Sequence, residues 1–141
     1  MDTKEQPQRI LVVDDDEDIQ LVTGMVLRKL GSQLGPIVPE RAFSASEAII
    51  RLTPHPPHID LVLLDIVMET QDAGYLVIEH IDSLPEKHRP KVIIRSGQAE
   101  LRVEPLPSLP NFVIGLHSKT DLDAGELGQL VLKALEAPQS S

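Results

Sequence analysis

Asp60-Leu61-Val62-Leu63-Leu64-Asp65-Ile66-Val67-Met68 lies near the middle of the chain, and its core, Leu61 to Leu64, is an unbroken apolar run of strand length. A strand with one wet face alternates polar and apolar residues. A continuous run is buried on both faces, as in a parallel sheet. Pro56, Pro57 and Asp60 bound the run before it, and the polar segment Glu69-Thr70-Gln71-Asp72 follows it. Asp65 falls where the strand ends. A carboxylate there is costly to bury unless a cation meets it. Alone it would read as a turn residue, but it does not stand alone.

Working outward, the chain alternates short apolar runs with amphipathic segments. Arg9 to Val13 reads as a first buried strand, stopped by Asp14-Asp15-Asp16. Residues 17 to 34 read as a helix with Ile19, Val22, Val26 and Leu30 on its buried stripe and acids in its first turn, where the helix dipole favours them. Ile37 to Phe43 is a weaker strand whose Pro39 suits an edge position. Ser44 or Ser46 caps a short helix over 47 to 52. After Asp65, residues 73 to 84 read as a helix with Leu76, Val77, His80 and Ile81 on one stripe. Lys91 to Ser96 and Phe112 to Leu116 are two further strands. Asp121 caps a last helix whose Leu127, Leu130, Val131 and Leu135 form a buried stripe. Strands alternating with helices imply a parallel sheet covered on both faces, with ligands gathered at the carboxyl ends of the strands.

Composition narrows the function. The 141 residues suit one domain, and 41% apolar with 25% charged residues suits a globular one. With no cysteine there are no disulfides and no thiolate metal sites. A net charge of −9 repels phosphate backbones, and 2% aromatic content offers no base-stacking platform, so direct nucleic-acid binding is not expected. Neither a membrane span nor the apolar segment of a signal peptide is evident, and a cytoplasmic location is expected.

The polar residues that end the strands then fall at one edge. Asp14 and Asp15 follow the first strand, Asp65 ends the third, Ser96 the fourth, and Lys119 follows the fifth. Converging carboxylates repel each other and need a cation. Oxygen-only ligands suit a hard divalent ion such as Mg2+. A carboxylate beside a metal, an ammonium and a hydroxyl suits a phosphoryl acceptor, because both cations neutralise charge on the transferring group. Asp16, Glu17 and Asp18 read as helix N-terminal acids rather than ligands. His55 and His58 read as solvated loop residues, His80 as a helix-face residue and His117 as an exposed strand-end residue.

These residues resemble the receiver domain of two-component response regulators. The resemblance is carried by Val12-Val13-Asp14-Asp15, Leu63-Leu64-Asp65-Ile66-Val67-Met68, Arg95-Ser96-Gly97 and Ser118-Lys119. It implies a flavodoxin-like, doubly wound five-stranded parallel sheet of order 2-1-3-4-5, spanning residues 9–137 between tails at 1–8 and 138–141. It also implies roles. Asp65 is the phosphoacceptor, Asp14, Asp15 and Asp65 hold Mg2+ with the backbone carbonyl of Val67, Ser96 is the switch hydroxyl, and Lys119 pairs with the phosphoryl group. The implied partners are a sensor histidine kinase or phosphotransfer protein, which donates the phosphoryl group, and a downstream effector; dimerisation is compatible with the family. Such a domain is a phosphoacceptor, not an enzyme with turnover. The alternative is a receiver-like module that signals by binding alone. The segments around Met68 and Ser96 further resemble receivers fused to cyclic-dinucleotide phosphodiesterase modules.

Some positions depart from the family pattern. Glu69 stands where a proline is usual, the loop to Gly74 is one residue longer, Thr120 follows the lysine in place of proline, and Leu116 stands where a switching aromatic is common. The helix expected after the fourth strand would span Gln98 to Asn111, which contains Pro105, Pro107 and Pro110. An interior proline costs a helix about 3 kcal/mol and drives its predecessor toward extended geometry. That helix is therefore expected to be degenerate, reduced to a turn over Ala99 to Val103. Backbone chemical shifts of the unbound protein are expected to lack a continuous three-turn helix across 98–110, and finding one would return this segment to the ordinary receiver pattern.

Overall fold

In a computed structural model, described here for residues 7–34, 36–53, 57–65, 73–96, 110–118 and 124–136, five strands form one parallel sheet. They are β1 (Gln8–Val13), β2 (Ile37–Ala42), β3 (Leu61–Asp65), β4 (Lys91–Ser96) and β5 (Val113–Ser118), in the order β2-β1-β3-β4-β5. Among the described residues the helices are α1 (Glu17–Leu34), α2 (Ala45–Arg51), α3 (Ala73–Asp82) and α4 (Ala124–Glu136), with a 3-10 turn at Glu86–His88. The sheet order is the one the resemblance implied. No helix among them is long and apolar enough to cross a membrane.

The apolar runs explain the layers. Leu61 to Leu64 are fully buried, as the unbroken run required. Successive strand residues point to opposite faces. Leu11, Val13, Val62, Leu64, Val92 and Ile94 therefore pack with α2 and α3, while Ile10, Val12, Leu61, Leu63 and Ile93 pack with α1 and α4. Right-handed crossovers force this division, because the path turns one way from β1 to β2 and the other from β2 to β3. The reversal leaves a switch point between β1 and β3.

Two helix faces differ from the sequence expectation. On α1 the buried residues are Gln20, Thr23, Gly24, Leu27 and Leu30, whereas Val22 is 53% exposed. The bounds of the helix, Glu17 to Leu34, are those expected. A count of apolar residues placed Val22 inside, but the sheet needs small and polar residues opposite its carboxyl edge. On α3 the buried stripe includes Ala73, Gly74, Val77, Ile78 and Ile81, with Leu76 exposed. His80 does not merely sit on the helix surface: its Nε2 lies 2.5 Å from the Leu52 carbonyl at the end of α2. Ser44, not Ser46, caps α2 by accepting the Glu47 N–H at 3.1 Å, and Glu47 accepts the Phe43 N–H at 2.7 Å in return. That reciprocal bonding is a variant of the capping box.

The proposed degenerate segment at 98–109 lies outside the described residues, as do residues 1–6 and 137–141. Pro110 and Asn111, the last two positions of the expected 98–111 span, are described, and Val113 N–H donates to the Pro110 carbonyl in a turn that feeds β5.

Edge strand β2 is locked by charge. Glu40 accepts from Arg51 Nε and from Arg51 Nη2 at 2.9 Å, and from Arg9 Nη1 at 3.1 Å, tying β1, β2 and α2 together. Hydrogen bonding from Arg51 holds the Glu40 carboxyl below its usual range, against the opposing effect of burial. A carboxyl depressed in the folded state contributes stability that is complete above its unfolded pKa and is lost as pH falls through the folded one. Glu40→Gln is expected to be less stable than the parent near neutral pH and to show a shallower loss of stability on acidification, read from urea midpoints between pH 7 and pH 3.

Candidate functional site

The switch point between β1 and β3 gathers three carboxylates. β1 ends at Val13 and is followed directly by Asp14 and Asp15, while β3 ends on Asp65. One carboxylate oxygen from each of Asp14, Asp15 and Asp65 lies within 4.8 Å of the others. Asp14 and Asp65 are 1% and 3% exposed, whereas Asp15 faces solvent. The side chains thus have a buried floor and an open mouth.

Local bonding explains how the chain turns there. Asp14 Oδ1 accepts the Asp16 N–H at 2.9 Å, which bends the backbone out of β1. Asp16 Oδ1 then accepts from the N–H groups of Asp18 at 2.8 Å and Ile19 at 3.3 Å. Asp16 is therefore the α1 cap, as expected, and stands outside the acid cluster.

Two supporting residues were not anticipated as part of the site. Gln20, one turn into α1, is 1% exposed, and its Nε2 lies 2.9 to 3.0 Å from the carbonyls of Val12, Asp14 and Ala42. One amide thereby pins the ends of β1 and β2 where the acids emerge. A glutamine among apolar residues at helical spacing gives no sequence signal of that task. Arg95 is the second. It lies opposite Asp65 in the β3–β4 register, is 6% exposed, and donates from Nη2 to Thr23 Oγ1 on α1 at 3.3 Å. Its signal was present: a cation closing an otherwise apolar buried strand.

Ser96 closes β4 at the same edge, in register with Ser118 of β5. Val67, Glu69, Lys119 and Thr120 lie outside the described residues. Leu116 is on β5 and 36% exposed, and His117 is half-buried rather than exposed. The donor set is oxygen-only: the described cluster contains three aspartates and no histidine. Such a set fits a hard divalent ion of the Mg2+ type.

No protein-family model matches the chain. Solved structures with this architecture include a response regulator receiver domain from Clostridium thermocellum, with a TM-score of 0.70 at 22% identity over 91% of this chain and 94% of that one. Another is a BeF3-activated DrrB receiver domain, with a TM-score of 0.64 at 19% identity over 94% of this chain and all of that one. The chain has the fold of these receiver domains. Over 94% of its length the chain is also 28% identical to a 3'3'-cGAMP-specific phosphodiesterase of Vibrio cholerae serotype O1, and it spans 25% of that protein.

Gln20 ties the acid edge to the ends of β1 and β2. Replacing it with leucine keeps the volume but removes the donor shared by three carbonyls, and an unmet buried polar group costs about 1–3 kcal/mol. Gln20→Leu is expected to lose stability in that range by urea denaturation. An unchanged midpoint would mean that the amide holds nothing.

Proposed function

We propose that this receiver is a phosphorylation-controlled signalling module that accepts a phosphoryl group on Asp65. The observation that carries the proposal is the acid cluster at the switch point, with Asp65 buried at its floor. A carboxylate oxygen of Asp65 attacks phosphorus in line, the phosphorus–nitrogen bond of a phosphohistidine donor breaks, and its electron pair leaves with the imidazole nitrogen. The product is an acyl phosphate on Asp65.

Asp14, Asp15 and Asp65 would hold Mg2+ with the Val67 carbonyl, and the ion would supply positive charge against the incoming phosphoryl oxygens. Lys119 is assigned a second fixed positive charge, and Ser96 the hydroxyl that follows the phosphoryl group when it arrives. Ser96 ends β4, and Lys119 follows the last residue of β5 in the sequence. Gln20 keeps the β1 end, and hence Asp14, in position while charge accumulates. No turnover reaction is assigned to the chain.

The partners that follow are a histidine kinase or phosphotransfer protein upstream and an effector downstream, in the cytoplasm. The Vibrio relative, of which the chain spans a quarter, suggests an effector of the cyclic-dinucleotide phosphodiesterase kind, in agreement with the resemblance carried by the segments around Met68 and Ser96.

Incubation with acetyl phosphate and Mg2+ is expected to add one phosphate to the parent protein by intact-mass spectrometry. Asp65→Asn is expected to remain folded and gain none, and chelation of the metal is expected to abolish the adduct in the parent. An undiminished adduct on Asp65→Asn would end the assignment.

A further inference from the structure

Next to the acid cluster, on the neighbouring strand, lies a buried cation on which the phosphorylation scheme makes no demand. Leu61 and Leu63 on β3, and Ile93 on β4, face α1 and α4, and strand alternation directs Asp65 and Arg95 to that same face. Arg95 is 6% exposed there, between the ends of β3 and β4 and the α1 residue Thr23. A guanidinium has five N–H donors. Here the Thr23 hydroxyl receives one at 3.3 Å, and Nε has no hydrogen-bond partner. A side chain retained for its hydrogen bonds would be better satisfied than this.

Its charge accounts for the burial instead. Burial pushes the Arg95 guanidinium down from its ordinary range, and the nearby carboxylates of Asp14 and then Asp65 push it back up. Arginine remains charged under physiological conditions. A positive charge is thus held beside Asp65 on the neighbouring strand, buried on the sheet face that α1 and α4 cover.

We propose that Arg95 is a built-in counter-cation of the acid cluster, which holds the carboxylates together without metal and lowers their affinity for Mg2+. It rests on the metal-binding role given above to Asp14, Asp15 and Asp65. A divalent ion entering the cluster meets a charge already partly neutralised and repels Arg95 across the buried floor. Thr23 limits how far Arg95 can retreat. The receiver therefore exchanges a tight metal site for one that stays assembled when metal is scarce.

The test is calorimetric titration of Mg2+ into the parent, Arg95→Met and Arg95→Lys at low ionic strength, with thermal melts in chelator. Arg95→Met is expected to bind Mg2+ on the order of tenfold more tightly, because a like charge has left a poorly screened site. It is also expected to melt lower without metal and to gain more from Mg2+ than the parent does. Arg95→Lys restores the charge and is expected to return affinity to within about threefold of the parent. If Arg95→Met does not fold, Arg95→Gln reads the same charge change with a donor kept near Thr23. Mg2+ binding that is equal or weaker in the neutral variant overturns the role of Arg95 while leaving the metal site intact. Binding in none of the proteins overturns the metal site, and this proposal with it.

Discussion

Like charge brought together at the edge of an apolar sheet is the constraint on which the rest of this structure depends. Asp14 and Asp65 are almost fully buried at the ends of neighbouring strands, with Asp15 beside them. At such separations carboxylates repel by several kcal/mol in a partly buried setting. The strands that deliver them must therefore be held by forces that do not weaken at their ends. Leu61 to Leu64, packed on both faces, supply that anchorage for β3, and Ile10 to Val13 supply it for β1. At the opposite edge the backbone is tied just as firmly. Asp60 Oδ2 accepts the Arg9 N–H at 2.8 Å, Asp60 N–H donates to the Arg9 carbonyl at 2.8 Å, and Lys91 N–H donates to the Asp60 carbonyl at 3.2 Å.

Much of this was legible because burial on both faces leaves a simple trace. A central strand of a parallel sheet reads as a continuous apolar run, so β1, β3 and β4 could be located from the apolar runs themselves, and the edge position of β2 from Pro39. The order of the strands was not legible that way; alternation of strands and helices is compatible with several orders, and the resemblance to receivers selected one. The acids were legible because each falls immediately after an apolar run.

Helix faces were harder. Periodicity assigns apolar residues to the interior, and on α1 this misplaced Val22, which is exposed beside Leu21 and Met25. The residues that took the interior were Gln20, Thr23 and Gly24. Their burial follows from what lies across from them, which is knowable only once β1, β2 and β4 are brought together. The same holds for Arg95, whose neighbours Asp14 and Asp65 are remote in sequence.

The buried face of α1 changes character along its length, and the change follows the sheet beneath it. The helix begins at the acid edge and runs back toward the amino ends of the strands. Its first two turns present Gln20, bonded to carbonyls of β1 and β2, and Thr23, bonded to Arg95 of β4. Its later turns present Leu27 and Leu30, packed with Ile10, Val12 and Leu61. Hydrophobic packing alone holds the helix to the sheet but cannot position a particular carbonyl or charge, since it has no direction. Hydrogen bonds from Gln20 and to Thr23 do have direction. α1 is thus anchored by its apolar half and used as a template by its polar half, so a single helix sets the positions of three strand ends around the carboxylates. An entirely apolar inner face would have packed at least as well and left the acid edge without that control.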